Sequence, residues 1–335
     1  MEDRHTTLAH GNGGRFTREL IETVFARHLG NPSLDVTADA VPIALSGNMD
    51  VVVTTDGFTV QPLEFPGGDI GSLAVNGTVN DLAVAGAVPR YLTLGAVIEE
   101  GLEFDQLDRI VASLAAAARI ADVAIVAGDT KVVPRGHGGG LYLTTTGVGE
   151  RQRECGLGLG AIRDGDAVLV SGSVGDHGIC VMLAREEFDL KGSVLSDCAA
   201  VTPFTLPLAG NPALRFMRDP TRGGLATVAH EIASATGLDV HLQEEAIPVR
   251  DQVRSVCEML GYDPYYLACE GRVVAIVAAD AADGIVALWR GLPGGESAAR
   301  IGTVQAGPGH VVLETPIGGR RLLDELEDDP LPRIC

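Results

Sequence analysis

Three aspartates sit at expected strand or helix ends: Val51-Val52-Val53-Thr54-Thr55-Asp56, Val79-Asn80-Asp81-Leu82 and Gly128-Asp129-Thr130-Lys131. Carboxylates on separate elements are what a nucleoside triphosphate site with Mg2+ needs, because the hard cation takes oxygen ligands while it bridges phosphate oxygens. Lys131 is placed to hold a phosphate or a substrate carbonyl. Glu270, between Ala268-Cys269 and Gly271-Arg272, stands at the entrance to a strand, where a partly desolvated carboxylate can act as a base. Gly11, Gly13 and Gly14 precede a helical pattern and can aim backbone N–H groups at an anion. The last residue, Cys335, is a sulfur that a swinging arm could carry into a site elsewhere. Each has a plainer reading: helix cap or turn aspartates, a solvated lysine, a Glu270–Arg272 pair, a plain glycine turn, and an incidental thiol on a frayed end. His10 and His177, both beside glycine, read as ordinary loop histidines. GxxxxGK[ST] does not occur, so the pattern is not that of a P-loop protein.

Alternating strand and helix patterns must position these groups. We expect a helix over 16–29, a strand at 49–53, a buried helix over 70–85 and a strand at 90–98. An alanine-rich helix over 104–119, a strand at 123–127, a turn at 128–131 and a strand at 142–148 follow. A glycine-rich break near 150–162 separates a second set, with strands at 167–171, 240–243, 273–278, 299–304 and 310–313. Helices are expected at 178–187, after the Arg218–Leu225 stretch through Thr236, and at 252–260 and 282–290. The expectation is an α+β or α/β protein of two layered αβ domains, 1–155 and 156–317, with a mobile tail over 318–335. Extended, that tail would reach on the order of 60 Å.

Length and charge agree with this division. A chain of 335 residues with 46% hydrophobic residues can fill two ordinary cores. A formal net charge of −20 argues against nucleic acid or anionic membranes as partners. No basic, apolar leader and no long uncharged apolar run is present, so the protein is expected to be cytoplasmic. The six cysteines lack CxxC spacing, and Cys180, Cys198, Cys257 and Cys269 read as small core residues, with Cys335 alone freely presented.

The ordered motifs TTDGF, GSLAVNGTVNDLAVAGAVP, AGDTKV and DPTRGGL resemble the superfamily of aminoimidazole ribonucleotide synthetase, selenophosphate synthetase and thiamine-monophosphate kinase. That likeness covers nearly the whole chain. It implies ATP bound between two αβ domains, the first of which usually builds a homodimer. Within it LAHGNGG, ACEGRV and the ending PRIC resemble the HypE family of hydrogenase maturation factors, the carbamoyl dehydratases.

The resemblance implies that Cys335 receives a carbamoyl group from the carbamoyltransferase HypF. ATP then dehydrates the thiocarboxamide to a thiocyanate, and the cyano group passes to iron on the HypC–HypD complex. It further implies that Asp56, Asp81 and Asp129 hold Mg2+ and that Asn80 and Asp219 belong to the same ATP site. Gly11, Gly13 and Gly14 would be phosphate contacts, and Lys131 and Glu270 would contact the thiocarboxamide, with Glu270 the base. The tail is expected to have an inward and an outward position. Two rivals are a superfamily kinase or synthetase acting on a free small molecule, and a scaffold that docks a partner through its acidic tail.

Overall fold

The computed structural model describes residues 5–7, 20–32, 49–152, 156–185, 193–325 and 334–335. The glycines at 11, 13 and 14, His10 and most of the tail lie outside the described residues.

The first domain is a four-stranded sheet with one face covered. Its strands are β1 (Met49–Phe58), β4 (Val88–Glu99), β5 (Ala124–Val133) and β6 (Leu141–Gln152), in the order β1-β6-β4-β5. Two short strands, β2 (Glu64–Phe65) and β3 (Gly68–Asp69), form a separate hairpin. Helices α1 (Ile70–Val84) and α2 (Phe104–Ile120) pack on the covered face. Asp69 caps α1, its side chain accepting from the Ser72 N–H at 2.9 Å while Ser72 Oγ accepts the Asp69 N–H at 3.0 Å. α1 is apolar nearly all round and is buried on nearly every side.

The stretch 128–131, expected to be a turn, is the middle of β5. It pairs in parallel with β4, Leu94 opposite Gly128 and Gly95 opposite Asp129. The glycine that suggested a turn is there because a Cβ at Gly128 would stand 2.5 Å from the Leu94 carbonyl oxygen.

In the second domain a seven-stranded sheet runs in the order β13-β12-β9-β11-β7-β10-β8. Its strands are β7 (Ala167–Val170), β8 (Leu214–Arg218), β9 (Asp239–Gln243), β10 (Val274–Val277), β11 (Ala299–Gln305), β12 (Val311–Glu314) and β13 (Arg320–Leu322). Its helices are α3 (Asp176–Ala184), α4 (Gly224–Thr236), α5 (Asp251–Leu260) and α6 (Ala282–Arg290). Strand alternation divides the central strands between two cores: Val168, Val170, Val274 and Ile276 pack with α4, and Ala167, Leu169, Ala275 and Val277 with α6.

β13 revises the expected tail. It pairs with β12, Leu323 is buried, and the Leu323 N–H donates to the Val311 carbonyl, so 318–323 belong to the second domain. The residues beyond Asp324 reach on the order of 40 Å when extended, not 60.

α1 also joins the domains. Its Ala83 and Val84 belong to the α6-side core, while α3 and α5 contribute to the core under the first sheet. Asn80, buried on α1, donates from Nδ2 to the Ala199 and Glu270 carbonyls at 3.0 and 3.2 Å and accepts the Val201 N–H at 2.8 Å. The side chain expected at the nucleotide is thus committed to the backbone of the second domain. Asn80→Ala would leave the buried Val201 N–H without its partner and remove the bonds to the Ala199 and Glu270 carbonyls, the second of which still accepts the Ala199 N–H at 3.4 Å, and we expect denaturant unfolding to register a loss of about 2 kcal/mol. A loss below about 1 kcal/mol would mean that water replaces the strut.

Candidate functional site

Carboxylates from both domains converge where α1, β1 and the loops after β8 and before β10 meet. Asp56 lies opposite Thr145 of β6. Thr145 bonds the Ala74 carbonyl of α1, so Asp56 also lies on the α1 side of the sheet. Thr54, two residues earlier on that face, donates its hydroxyl to Asp81 Oδ2 at 2.8 Å. Asp219 is buried, and burial, with Asp81 next in weight, raises its carboxyl to about 7. Glu270 is 2% exposed, and among the described residues its Oε1 has no hydrogen-bond partner. Burial first, then Asp197, Asp219, Asp56 and Asp81, push its carboxyl well above the ordinary range.

The loop bearing Glu270 is fixed from behind. The Glu270 N–H donates to Asp197 Oδ1 at 3.1 Å, and Asp197 is in turn 3.3 Å from Arg272 Nε. Arg272 also lies 3.5 Å from Asp176 and donates from Nε to the Ser173 carbonyl. The plainer reading, a Glu270–Arg272 pair, gives way to Arg272 holding two other carboxylates, and among the described residues no ion pair to Glu270 is seen. Gly271 permits this packing, since a Cβ there would lie 1.9 Å from the Asp197 carbonyl oxygen.

Cys335 comes to this pocket. It is half-buried against the first domain's core rather than freely presented. Burial, with Glu270 adding and an Arg222 hydrogen bond opposing, pushes its thiol up to about 12. Its main-chain oxygen accepts the Thr59 N–H at 3.2 Å and the Thr59 hydroxyl at 3.3 Å. Ile334 is buried, and its carbonyl meets His177 Nε2 at 2.7 Å. This is the inward position expected of the tail.

Asp129 and Lys131 do not join the cluster within one chain. Asp129 aligns with Gly95 and Thr144, on the face of the sheet opposite to Asp56. Lys131 Nζ lies 3.1 Å from Asp129, and the lysine is 63% exposed on that open face. Sequence reasoning left Arg222, Thr59, Asp197 and His177 without site roles. Of these only Arg222 carried a signal, its place in DPTRGGL.

The described residues contain no ready cage of three or more metal-ligating side chains. Mg2+ does not require one, since it is commonly held by one or two carboxylates with water and substrate phosphates completing the shell. Crowded acids with an orphaned Glu270 oxygen fit a cation that arrives with its phosphates, with Asp56 and Asp81 the ligands nearest to hand. The arrangement can therefore take a charged phosphate–metal unit beside a sulfur and a carboxyl.

The raised carboxyls set a pH dependence. The folded chain keeps protons that the unfolded chain releases above the ordinary carboxylate range near 4. The stabilisation is complete below that range, falls as pH rises towards Asp219's value of about 7, and is gone above it. Without nucleotide or divalent cation, the unfolding midpoint should drop between about pH 5 and about pH 7.5. Asp219→Asn should flatten that slope, its share being at most about 4 kcal/mol. Identical slopes in both proteins would show that Asp219 ionises as it does in water.

Residues 37–151 match the model for the N-terminal domain of AIR synthase related proteins, and 163–314 match that for the C-terminal domain. The carbamoyl dehydratase HypE of Azotobacter vinelandii is 47% identical over 98% of this chain and 96% of its own. A crystal structure of the hydrogenase maturation protein HypE in complex with ATP superposes with a TM-score of 0.93, at 46% identity, over 98% of this chain and 99% of that one. A chain of a HypE–HypF complex is 41% identical and superposes at 0.80, over 92% of this chain and 99% of its own. With both domain models matched in order and the likeness running the length of the fold, the chain belongs to the HypE carbamoyl dehydratase family, in the two-domain fold of AIR synthase related proteins.

Proposed function

We propose that this protein dehydrates a carbamoyl group carried on Cys335, converting the S-carboxamide to a thiocyanate that supplies cyanide to the iron of [NiFe] hydrogenase. The observation that carries the reading is Cys335 seated beside Glu270, in a pocket of carboxylates, in a chain close to the carbamoyl dehydratase HypE. Formally, S–C(=O)NH2 and ATP give S–C≡N, ADP and phosphate. The amide oxygen leaves with the phosphate, and nitrogen gives up both protons. ATP with Mg2+, when bound, supplies the phosphoryl group that makes this oxygen a leaving group.

The chain's own residues divide the remaining work. Asp56, Asp81 and Asp219 draw in the cation. Neutralising them removes three of the four carboxylates that help to keep Glu270 protonated. Burial, the largest influence, remains, so this eases the loss of the Glu270 proton, and the carboxylate form it favours can take an N–H proton. Arg222, hydrogen-bonded to the Cys335 side chain, sets a cation beside the reacting group. The inward thiol, pushed up to about 12, is a poor nucleophile, so carbamoylation is assigned to the outward tail. HypF is the inferred carbamoyl donor enzyme, as the solved HypE–HypF complex suggests, and HypC–HypD the inferred acceptor. A reduced carrier thiol suits the cytoplasm. Among the described residues no helix is long and apolar enough to cross a membrane.

A homodimer is proposed for the open sheet face, where Val51 and Val53 are 52% and 61% exposed. A second copy laid on that face would bring a neighbour to Asp129 and Lys131, which one chain leaves outside its own cluster.

Intact mass spectrometry after incubation with the carbamoyltransferase, carbamoyl phosphate and ATP should find one carbamoyl group gained at Cys335 and then one water lost. Glu270→Gln should accept the carbamoyl group but lose water at least roughly 100-fold more slowly. Dehydration at the wild-type rate would remove Glu270 from the chemistry, and no modification at Cys335 would overturn the function. Sedimentation velocity should give a dimer for the wild type and a monomer for Val53→Asp. A monomeric wild type would rule the open face out as a self-interface.

A further inference from the structure

Among the described residues, one polar contact to the tail tip comes from a residue with no part in the chemistry above. His177 lies in the first turn of α3 and is fully buried. Its Nε2 is 2.7 Å from the Ile334 carbonyl oxygen, which can only accept, so Nε2 carries the proton. That leaves Nδ1 as an acceptor, and Ser196 Oγ lies 2.8 Å from it. Ser196 Oγ in turn accepts the Cys198 N–H at 3.0 Å. The chain of donors runs one way, from the Cys198 backbone through Ser196 and the imidazole to the tail. The Phe65 ring meets the imidazole edge-on, with centroids 5.4 Å apart. Burial holds the imidazole below its usual range, which keeps it neutral. Ser196 and Phe65 thus fix the ring's orientation from the side away from the tail.

We infer that His177 is the positioning residue for the tail: by binding the main chain one residue before the reacting cysteine, it sets how often Cys335 occupies the acid pocket. The geometry suits a dissociable seat. A neutral hydrogen bond of this kind is worth about a ten-fold bias in net terms, enough to favour the inward position without trapping the arm. Thr59 holds the oxygen of Cys335 from the first domain, and His177 holds that of Ile334 from the second. The tip therefore docks only where the two domains meet. No atom of His177 acts on the carbamoyl group. Its catalytic consequence rests on the reading of Cys335 as the substrate carrier, but the seat itself does not.

Two isosteric halves of the imidazole separate the roles. His177→Gln puts an amide nitrogen near the Nε2 position and can keep the bond to Ile334. His177→Asn puts its amide near Nδ1, keeping Ser196 and losing the tail. The probe is the rate at which iodoacetamide alkylates Cys335 in the full-length protein, read by mass spectrometry on its peptide, with the buried Cys180 as internal reference. Alkylation needs a thiolate, so it reports the outward tail. We expect Asn to raise the Cys335 rate about ten-fold and Gln to stay near wild type, with similar thermal midpoints. In carbamoylated protein, Asn should slow dehydration by a similar factor at unchanged KM for ATP. Wild-type labelling in both variants, or equal acceleration in both, would overturn the inference. Labelling needs neither ATP nor a carbamoyl donor, so failure of the proposed reaction would leave this result standing.

Discussion

The structure turns on the placing of more buried negative charge in one pocket than its cations balance. Asp219 and Glu270 are buried beside Asp81 and Asp56, and the strong cation nearest Glu270 in sequence, Arg272, is turned away to Asp176 and Asp197. Isolated buried carboxylates are costly to ionise, so such a cluster persists only if it holds protons or receives a cation. The rest of the fold is arranged to tolerate that condition. α1 ties the domains through Asn80, and the Asp197–Arg272 pair fixes the Glu270 backbone while, among the described residues, Glu270 Oε1 has no hydrogen-bond partner. In the proposed reaction a phosphate-bound cation in such a pocket would ease the loss of its protons, which would link ligand arrival to an available base.

Much of this was legible in the sequence, and the failures have physical causes. Asp56, Asp81 and Glu270 were recognisable because a carboxylate beside an apolar run requires either a partner or a use, whereas Asp219 came only from the DPTRGGL resemblance. Asp129 and Lys131 were placed on a turn because the apolar run stops at Ala127 and a glycine follows. Pairing with β4 keeps the chain extended there, and the two-residue period then carries both side chains to the other face. Asn80 looked like a ligand, since nothing local separates a polar residue that binds a nucleotide from one that braces two domains. β13 was missed because Arg320-Arg321-Leu322 is an edge strand with exposed side chains and no apolar alternation.

His177 shows the same limit from the other side. A lone histidine next to glycine says nothing about what its ring will meet 157 residues further on. Its role follows only from the approach of the tail, which joins Ile334 to the core shared by the first sheet, α3 and α5. Cys335 was legible as a reactive sulfur but not as a quiet one. The same burial that brings it to Glu270 pushes its thiol up to about 12.

That quietness imposes an order on the proposed reaction. A thiol must ionise to accept a carbamoyl group, which the acid pocket opposes. Once carbamoylated, the sulfur carries no titrating proton, and the pocket's opposition to a thiolate no longer applies. The neutral thiol is itself seated in the pocket, so the pocket opposes ionisation inside and not entry. The seat at Thr59 and His177 therefore supplies the inward bias for the free and the carbamoylated tip alike. A tail bound more tightly would protect the carbamoyl group but would hold the free thiol away from its donor. The contacts described at Ile334 and Cys335 suit an arm held firmly enough to favour the pocket and loosely enough to leave it.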